Sequence, residues 1–323
     1  MLVTAVVVNF NGREMLLACL ASLQTALEHV NGDSEIVVVD NGSADGSSSA
    51  VAEHCPSATI VQLDANRGFA GGVEAGRRAA TGEWLLLLNN DATIEPDAVA
   101  ALLDAGCDPT VGSLAAQLRF AHGGALNSAG IGIDRLGVAF DRCVGEPPRA
   151  AGDAVIEVFG ASAGAALMRR SMLEDIGGFD ASFFLYLEDV DVAWRARMRG
   201  WRSLYVPAAV VHHHHSASSG HGSPFKHFHV ARNRMRLLAK NMPTGQLVRH
   251  APAILAYDLA HVIFTAATER TLAPLRGRIA GLREWRSYRT GGCDRRPVTL
   301  APPRGVSGAL RRRRGTLAGT MRR

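Results

Sequence analysis

Disulfide and zinc frameworks are missing from this sequence. Its five cysteines, Cys19, Cys55, Cys107, Cys143 and Cys293, are scattered with no CxxC pair, which fits free thiols in a reducing compartment. The chain opens directly on a strand pattern, without a basic region and apolar signal core, so no secretory signal is expected. No clean run of about 18 apolar residues occurs. The nearest, Ala251–Ala267, is interrupted by Asp258 and His261. The glycine-rich turn Asn66–Gly72 has neither GxGxxG nor GxxxxGK[ST] spacing, which argues against a dehydrogenase or a P-loop ATPase. No Ser/His/Asp or Cys/His arrangement points to a covalent nucleophile. Acid is missing from Arg304–Arg323, which holds seven arginines, so the formal charge of +5 is concentrated there and the rest is close to neutral.

What is present is enough chain for a full core: 323 residues, 47% hydrophobic, one large or two small domains. Leu2–Asn9, Glu35–Asp40, Thr59–Leu63 and Trp84–Leu88 read as buried strands, with helical spacing over Glu14–Leu27, about Asp45–His54 and Asn66 to near Gly82. Strands alternating with helices at this spacing predict a parallel sheet. The centre of the pattern is WLLLLNNDAT, Trp84–Thr93, where an apolar strand breaks into Asn89, Asn90 and Asp91. Open α/β sheets bind ligands at such strand ends. Beyond it, Val111–Leu118 reads as a strand, Gly123–Gly145 as hairpins or loops, and the small apolar Gly160–Met168 as tight packing or a strand close to a ligand. Ser171–Ile176 and Glu188–Arg199 read as helices, and Ser203–Val211 as a strand running into His212–His215. Lys226–Lys240 and Ala251–Glu269 read as helices, followed by a loose arginine-rich end.

Several residues carry chemistry at these positions, each beside a plainer reading. Asp91 either holds a divalent cation that binds a diphosphate, or caps a turn. Asp40 accepts a hydrogen bond from a nucleobase or ribose, or closes an Asx-turn with Asn41 and Gly42. Asn66–Gly72 cradles phosphate with backbone N–H groups, or is only a turn. In Phe183–Arg195, FFLYLEDVDVAWR, an acid against an apolar wall suits a general base, while acids at a helix start also cap it. A histidine of the 212–215 run suits a metal site, or is surface polarity at a strand end.

In combination these segments resemble the inverting family-two glycosyltransferases of the GT-A fold, and within them bacterial rhamnosyltransferases. The carrying motifs are VVVNFNG (Val6–Gly12), VVVDNGSADGS (Val37–Ser47), NRGFAGG (Asn66–Gly72), LLLLNNDATI (Leu85–Ile94), Gly177–Trp201 and VVHHHHSAS (Val210–Ser218). They span about Val3 to Pro243. The resemblance implies an α/β fold with a mostly parallel, Rossmann-like sheet flanked by helices and a C-terminal helical extension. It implies donor contacts from Asn9, Asn11, Asp40, Asn66, Gly72 and Asn90, and Mg²⁺ or Mn²⁺ on Asp91 and His212. Asp189 matches the family's base, with Glu188 as its neighbour. Two departures stand out: Asn89 replaces the first acid of the DxD motif, and Glu74 replaces a frequent asparagine.

Helix geometry bears on the base. With a helix starting near Glu188, Glu188 and Asp191 share a face and Asp189 points elsewhere, toward the cleft, leaving Asp191 to pair with Arg195. The expected organisation is a transferase domain over residues 1–220, its donor half about 1–115 and its acceptor half about 116–220. A helical extension over 221–303 and a basic tail over 304–323 follow. The expected partners are a nucleoside-diphosphate sugar, such as dTDP-rhamnose, and a glycan or lipid-linked acceptor, with no nucleic acid. The expected location is cytoplasmic, peripheral on the inner membrane face through the apolar residues of Ala251–Ala267 and the Arg311–Arg314 cluster. A core helix with a solvated tail is the alternative. The rival functions are a sugar nucleotidyltransferase, disfavoured by the lack of a glycine- and arginine-rich first loop, and an inactive sugar-nucleotide-binding module, disfavoured by the intact Asp91 and Asp189.

Overall fold

A computed structural model of the chain describes residues 2–214, 223–290 and 297–303. His215 and the remainder of the motif to Ser218, like the basic stretch from Arg304 onward with Arg311–Arg314, lie outside the described residues.

The first half alternates as its periodicity predicts. β1 (Val3–Asn9), α1 (Arg13–Glu28), β2 (Ser34–Asp40), α2 (Ser47–His54), β3 (Thr59–Gln62), α3 (Gly68–Ala79) and β4 (Trp84–Asn89) follow in order. A short β5 (Ala92–Ile94), unexpected from sequence, precedes α4 (Ala98–Ala105) and the long β6 (Val111–Phe120). Next come β7 (Leu126–Ser128), the hairpin β8 (Ile131–Ile133) and β9 (Ala139–Asp141), β10 (Ile156–Val158) and β11 (Ala165–Arg169). Then follow α5 (Arg170–Ile176), α6 (Glu188–Met198) and β12 (Arg202–His213). The chain continues as α7 (Pro224–Asn241), α8 (Thr244–Thr268), α9 (Ala273–Arg283) and α10 (Trp285–Thr290).

The main sheet runs β10-β12-β6-β11-β4-β1-β2-β3, with β5 added to β12 and β7 to β6. β1 pairs parallel with β2 and β4, β2 with β3, and β12 with β6. β11 is antiparallel between β4 and β6, and β10 is antiparallel on β12, so the sheet is mixed and mostly parallel. The leucine run of β4 is buried on both faces, as a continuous apolar strand demands. Leu86 and Leu88 pack with α1 and α4, while Leu85 and Leu87 pack with α3, α5 and α6. Register then aligns the polar ends, pairing Asn9 with Asp40 and Val8 with Asn89, so three strands deliver side chains to one edge.

The C-terminal helices supply the expected helical extension but depart from the finer reading in two ways. The arginine-rich stretch after Glu269, read as loose, folds into α9 and α10. Glycine explains the first: a Cβ at Gly277 would lie 2.2 Å from the Phe228 carbonyl and one at Gly281 2.6 Å from that of Arg232. Only glycine lets α9 lie this close on α7. Second, α8 is long and apolar enough, by length and composition alone, to cross a membrane. Its Asp258, however, is buried and ion-paired with Arg234 of α7 at 2.6 Å and Arg278 of α9 at 2.8 Å. A third core joins Val190 and Trp194 of α6 to Met235, Leu237 and Leu238 of α7 and Ile254 of α8.

Candidate active site

At the ends of β1, β2 and β4 the expected donor residues form one hydrogen-bonded set. Asn90 Nδ2 donates to Asn9 Oδ1 at 2.7 Å, and Asn9 Nδ2 donates to Ser43 Oγ at 3.3 Å. Asn11, in the left-handed region at φ +50, donates its N–H to the same Ser43 Oγ and accepts from the Ala44 N–H. Asp40 is buried, and its carboxylate takes the Ser43 N–H at 2.9 Å, Gln62 Nε2 at 2.9 Å and the Ser48 hydroxyl. Burial alone would raise its pKa, but these hydrogen bonds hold it below the usual carboxylate range. In this structure, then, Asp40 fastens the β2–α2 turn, which is the plainer of its two readings.

The glycine-rich turn shows the plainer of its readings. Gly68 N–H goes to Asn66 Oδ1 at 2.8 Å and Ala70 N–H to the Phe184 carbonyl at 3.1 Å. Asn66 thus organises the turn, also accepting from Asn41 Nδ2 at 3.1 Å. Gly72 faces β1, where a Cβ would sit 2.5 Å from Val8 Cγ1. Its small size serves close packing of α3 on β1. Glu74 is likewise structural, paired with Arg77 at 2.7 Å.

The chain reverses after Asp91, and β5 pairs antiparallel with the end of β12, setting Ala92 opposite His213. Side chains alternate along a strand, and this decides the histidine. His213 Nε2 lies 3.0 Å from Asp91 Oδ1 and 3.1 Å from Asn89 Nδ2. The expected ligand His212 faces away and meets Glu95 at 2.9 Å. His214 sets its ring 5.7 Å from that of His122. His213 Nδ1 lies 2.9 Å from Asn127 Oδ1, so its N–H is spent there and Nε2 is turned toward Asp91. An imidazole oriented through its far nitrogen beside a carboxylate is the usual outer-shell arrangement of a metal ligand.

Among the described residues no group of three His, Cys, Asp or Glu side chains converges on one point. Asp91 and His213 nevertheless fit Mg²⁺ or Mn²⁺, because hard octahedral ions are commonly held by one or two protein groups with phosphate oxygens and water completing the shell.

The acidic motif opens α6, preceded by a strained turn. Phe184, Tyr186 and Leu187 all have positive φ, a conformation costing about 1–3 kcal/mol each for residues that are not glycine. Asp189 is partly exposed and accepts N–H groups from Ala163 at 3.3 Å and Val190 at 2.8 Å. Burial, then the charge of Asp141, pushes its pKa up to about 6. Glu188 is buried, and its Oε2 has no hydrogen-bond partner among the described residues. Burial, then the neighbouring Asp189, raises its pKa well above the ordinary carboxylate value. Asp191 takes the structural part expected of it, bonded to Arg195 at 2.8 Å, Lys240 at 3.0 Å and Asn241 at 2.8 Å.

One loop ties the two ends together. Ala163 donates to Asp189, and the next residue, Gly164, accepts the Asn89 N–H at 3.0 Å with its carbonyl. The small residues before β11 therefore lie between the acidic motif and the end of β4, two residues before Asp91. Asp141 on β9 closes the group, close enough to feel Asp189, Lys226 and His213 and bonded to Ser128. Sequence reasoning missed Asn127 and Asp141, which sit in the irregular middle of the chain with no motif around them. His213 had a signal, the alternation of β12, which the unknown register left unread.

A mixed, mostly parallel sheet with acidic and amide side chains collected at its strand ends is the architecture of nucleotide-sugar transferases. The sequence pattern of glycosyl transferase family 2 matches residues 4–177, over half of the chain, and the chain belongs to that family. It is 30% identical over 224 residues to N-acetylglucosaminyl-diphospho-decaprenol L-rhamnosyltransferase of Mycobacterium tuberculosis (strain CDC 1551 / Oshkosh), covering 62% of this chain and 72% of that protein. The fold is similar to that of the mannosyltransferase PcManGT from Pyrobaculum calidifontis, solved with GDP-Man and Mn²⁺. There the TM-score is 0.52 at 21% identity, over 89% of this chain and 83% of that one. It is also similar to GalNAc-T7, solved with UDP, GalNAc and Mn²⁺, with a TM-score of 0.59 at 15% identity. That match covers 90% of this chain and about half, 54%, of that one.

Proposed function

We propose that this transferase moves rhamnose from dTDP-rhamnose to a hydroxyl of a lipid-linked or cell-wall glycan, with inversion at the anomeric carbon. The observation that carries the reading is the pair Glu188 and Asp189. Glu188 is buried, Asp189 beside it is oriented by two main-chain N–H groups and has its pKa pushed up to about 6, and both stand one loop away from Asp91 and His213. Rhamnose and the lipid-linked acceptor rest on the likeness to the mycobacterial relative, whose name specifies both.

In this reading Asp189, oriented by the Ala163 and Val190 N–H groups, accepts the proton of the acceptor hydroxyl. The acceptor oxygen bonds to the anomeric carbon as the bond from that carbon to the diphosphate breaks on the opposite face. One displacement with one base needs no covalent intermediate, and the product has inverted configuration. Asp91 and His213 would hold Mg²⁺ or Mn²⁺, which when bound neutralises charge on the leaving diphosphate. Asn9, Asn11 and Asn90 shape the donor end of the cleft, and Asp40 and Asn66 hold its turns.

The acceptor side bears on location. The three acids of α8, α9 and the residues up to Thr290 are all ion-paired: Asp258 with Arg234 and Arg278, Glu269 with His227, and the partly exposed Glu284 with Arg236. Exposed are Leu255, Leu259 and Ile263 of α8 and Leu275, Ile279 and Leu282 of α9, with Arg249, Arg276 and Arg283. Exposed apolar side chains interspersed with arginines suit an anionic lipid surface. The burial of Asp258 favours a helix lying on that surface over one crossing it. We therefore infer that the protein binds a membrane surface peripherally, and the anionic cytoplasmic leaflet suits its arginines.

The test is a panel of sugar nucleotides, dTDP-rhamnose, UDP-GlcNAc and GDP-mannose among them, assayed with Mg²⁺, Mn²⁺ or EDTA. Metal-dependent turnover of dTDP-rhamnose is expected. Preference for another donor would overturn the rhamnose assignment, and inactivity with every donor and acceptor would overturn the reading as a whole.

A further inference from the structure

We propose that Asn233, on α7 and beyond the segment matched by the family pattern, is a positioning residue for Asp189. The proposal rests on the reading of Asp189 as the base. Asn233 is fully buried, and its Nδ2 lies 2.8 Å from the Phe183 carbonyl, 2.9 Å from that of Leu185 and 2.8 Å from that of Tyr186. Three main-chain carbonyls of one short segment thus converge on a single side-chain amide. That segment contains the three residues of positive φ, Phe184, Tyr186 and Leu187, and Leu187 is the residue from which α6 starts.

Such a backbone persists only where its surroundings over-determine it. Carbonyls aimed at one another's neighbourhood repel, and each must find a donor when buried. Asn233 supplies both N–H groups of its amide at the point where the three meet. Its own Oδ1 is held by Arg232 Nε at 3.1 Å, and Arg232 Nη2 adds a bond to the Phe183 carbonyl at 3.0 Å. Arg236 reaches the Ser182 carbonyl, and Lys240 reaches Asp180 at 2.7 Å. One face of α7 therefore grips the approach to α6 from Asp180 to Tyr186. Asp189 follows three residues later, on the first turn, so its carboxylate goes where this turn sends it. Without the clamp, Leu187 can leave the left-handed region and the first turn of α6 can swing, taking the base off line.

The experiment compares Asn233→Ala with the parent, Asp189→Asn and Ile254→Ala, the last a core truncation in α8 that serves as a thermal-stability control. Turnover is measured with dTDP-rhamnose and Mn²⁺ or, if the panel finds a different donor, with that sugar nucleotide. Binding is measured with dTDP or the corresponding nucleoside diphosphate, and amide hydrogen exchange is followed over residues 180–190. Asn233→Ala should lower kcat by about 10- to 100-fold, the cost of a small misplacement of a reacting group. Nucleotide Kd should stay within about twofold of the parent, and exchange should quicken in 183–189 but not in β1 or β4. Ile254→Ala, with a comparable drop in Tm, should keep parental kcat.

Unchanged exchange over 183–189, parental kcat in Asn233→Ala, or an equal loss of kcat in Ile254→Ala would each overturn the proposal. If Asp189→Asn keeps parental turnover, the assignment of the base has failed and the clamp's catalytic role falls with it. If Asp189→Asn is inactive and Asn233→Ala is not, only the clamp falls.

Discussion

Asp189 and Glu188 differ by one position and in how far each is buried, and the roles that follow can be separated by kinetics. Asp189→Asn should lower kcat by about 10²–10⁴-fold, the usual worth of a positioned base, with donor KM little changed. Glu188→Gln, which mimics the protonated acid, should cost far less, and steady-state kinetics of the two variants decide. If Glu188→Gln is the inactive one, the roles are exchanged. The pH dependence has a definite sign. A base works when ionised, so kcat/KM should fall about tenfold per unit as the pH drops below about 6, where Asp189 takes up its proton. Asp141→Asn removes the like charge that helps to raise Asp189, and should move this acidic limb to lower pH. At the other end of the cleft, Asp91→Asn should remove most divalent-dependent activity, a loss of several kcal/mol in transition-state stabilisation. His213→Ala should weaken Mn²⁺ dependence while His212→Ala leaves it near parental, which a titration of activity against Mn²⁺ would reveal. Full activity in EDTA would remove the metal from the account.

The elements explain why these residues keep their places. β4 is anchored by leucines on both faces, and α6 is anchored through Asp191. That carboxylate is fully buried, and although burial alone would raise its pKa, Arg195 and Lys240 hold it below the usual range. Its stabilisation is therefore fully present above the unfolded-state pKa and is lost as pH falls through the depressed folded value. Asp191→Asn should cost about 3–5 kcal/mol at neutral pH, because it strands buried cations. The gap in urea-unfolding free energy between parent and variant should narrow below about pH 4, where Asp191 takes up a proton in the unfolded chain but not yet in the folded one. A gap independent of pH would mean that the charge of Asp191 contributes nothing. The strands and helices of the first half were legible as periodicity. β5 was not, because three residues carry no period, and α9 was not, because its glycines and arginines have little helical or apolar signature until α7 lies against them.

For the whole molecule, the C-terminal helices couple the cleft to a surface. α7 grips the approach to the acidic motif and packs against α9, while α8 and α9 carry the outward apolar face. If that face rests on lipid, the protein should sediment with vesicles containing anionic lipid and less with neutral ones, each basic residue near the surface contributing about 1 kcal/mol. Replacing Leu255, Leu259 and Ile263 with serine should release it without changing donor hydrolysis in solution. Sedimentation that ignores both lipid charge and these substitutions would leave the face without a membrane role.

Sequence by itself determined the class of fold, the strand ends at which polar residues collect, and the acids that compete for the base. These follow from apolar periodicity and from abrupt breaks such as Leu88 to Asn89, which are local. Tertiary structure decided which members of each cluster meet. His213 and not His212 faces Asp91 because a three-residue strand sets the register of β12, and a shift of one residue reverses every side chain. Gly72 packs under Val8, Asp40 closes its own turn, and Phe184 caps α3, because close approach between distant segments consumes groups that look free along the chain. The raised pKa values of Glu188 and Asp189 have the same kind of cause. It lies in burial and, for Asp189, in Asp141, 48 residues away in the sequence, and no local pattern encodes the charge or the desolvation that a folded neighbour supplies.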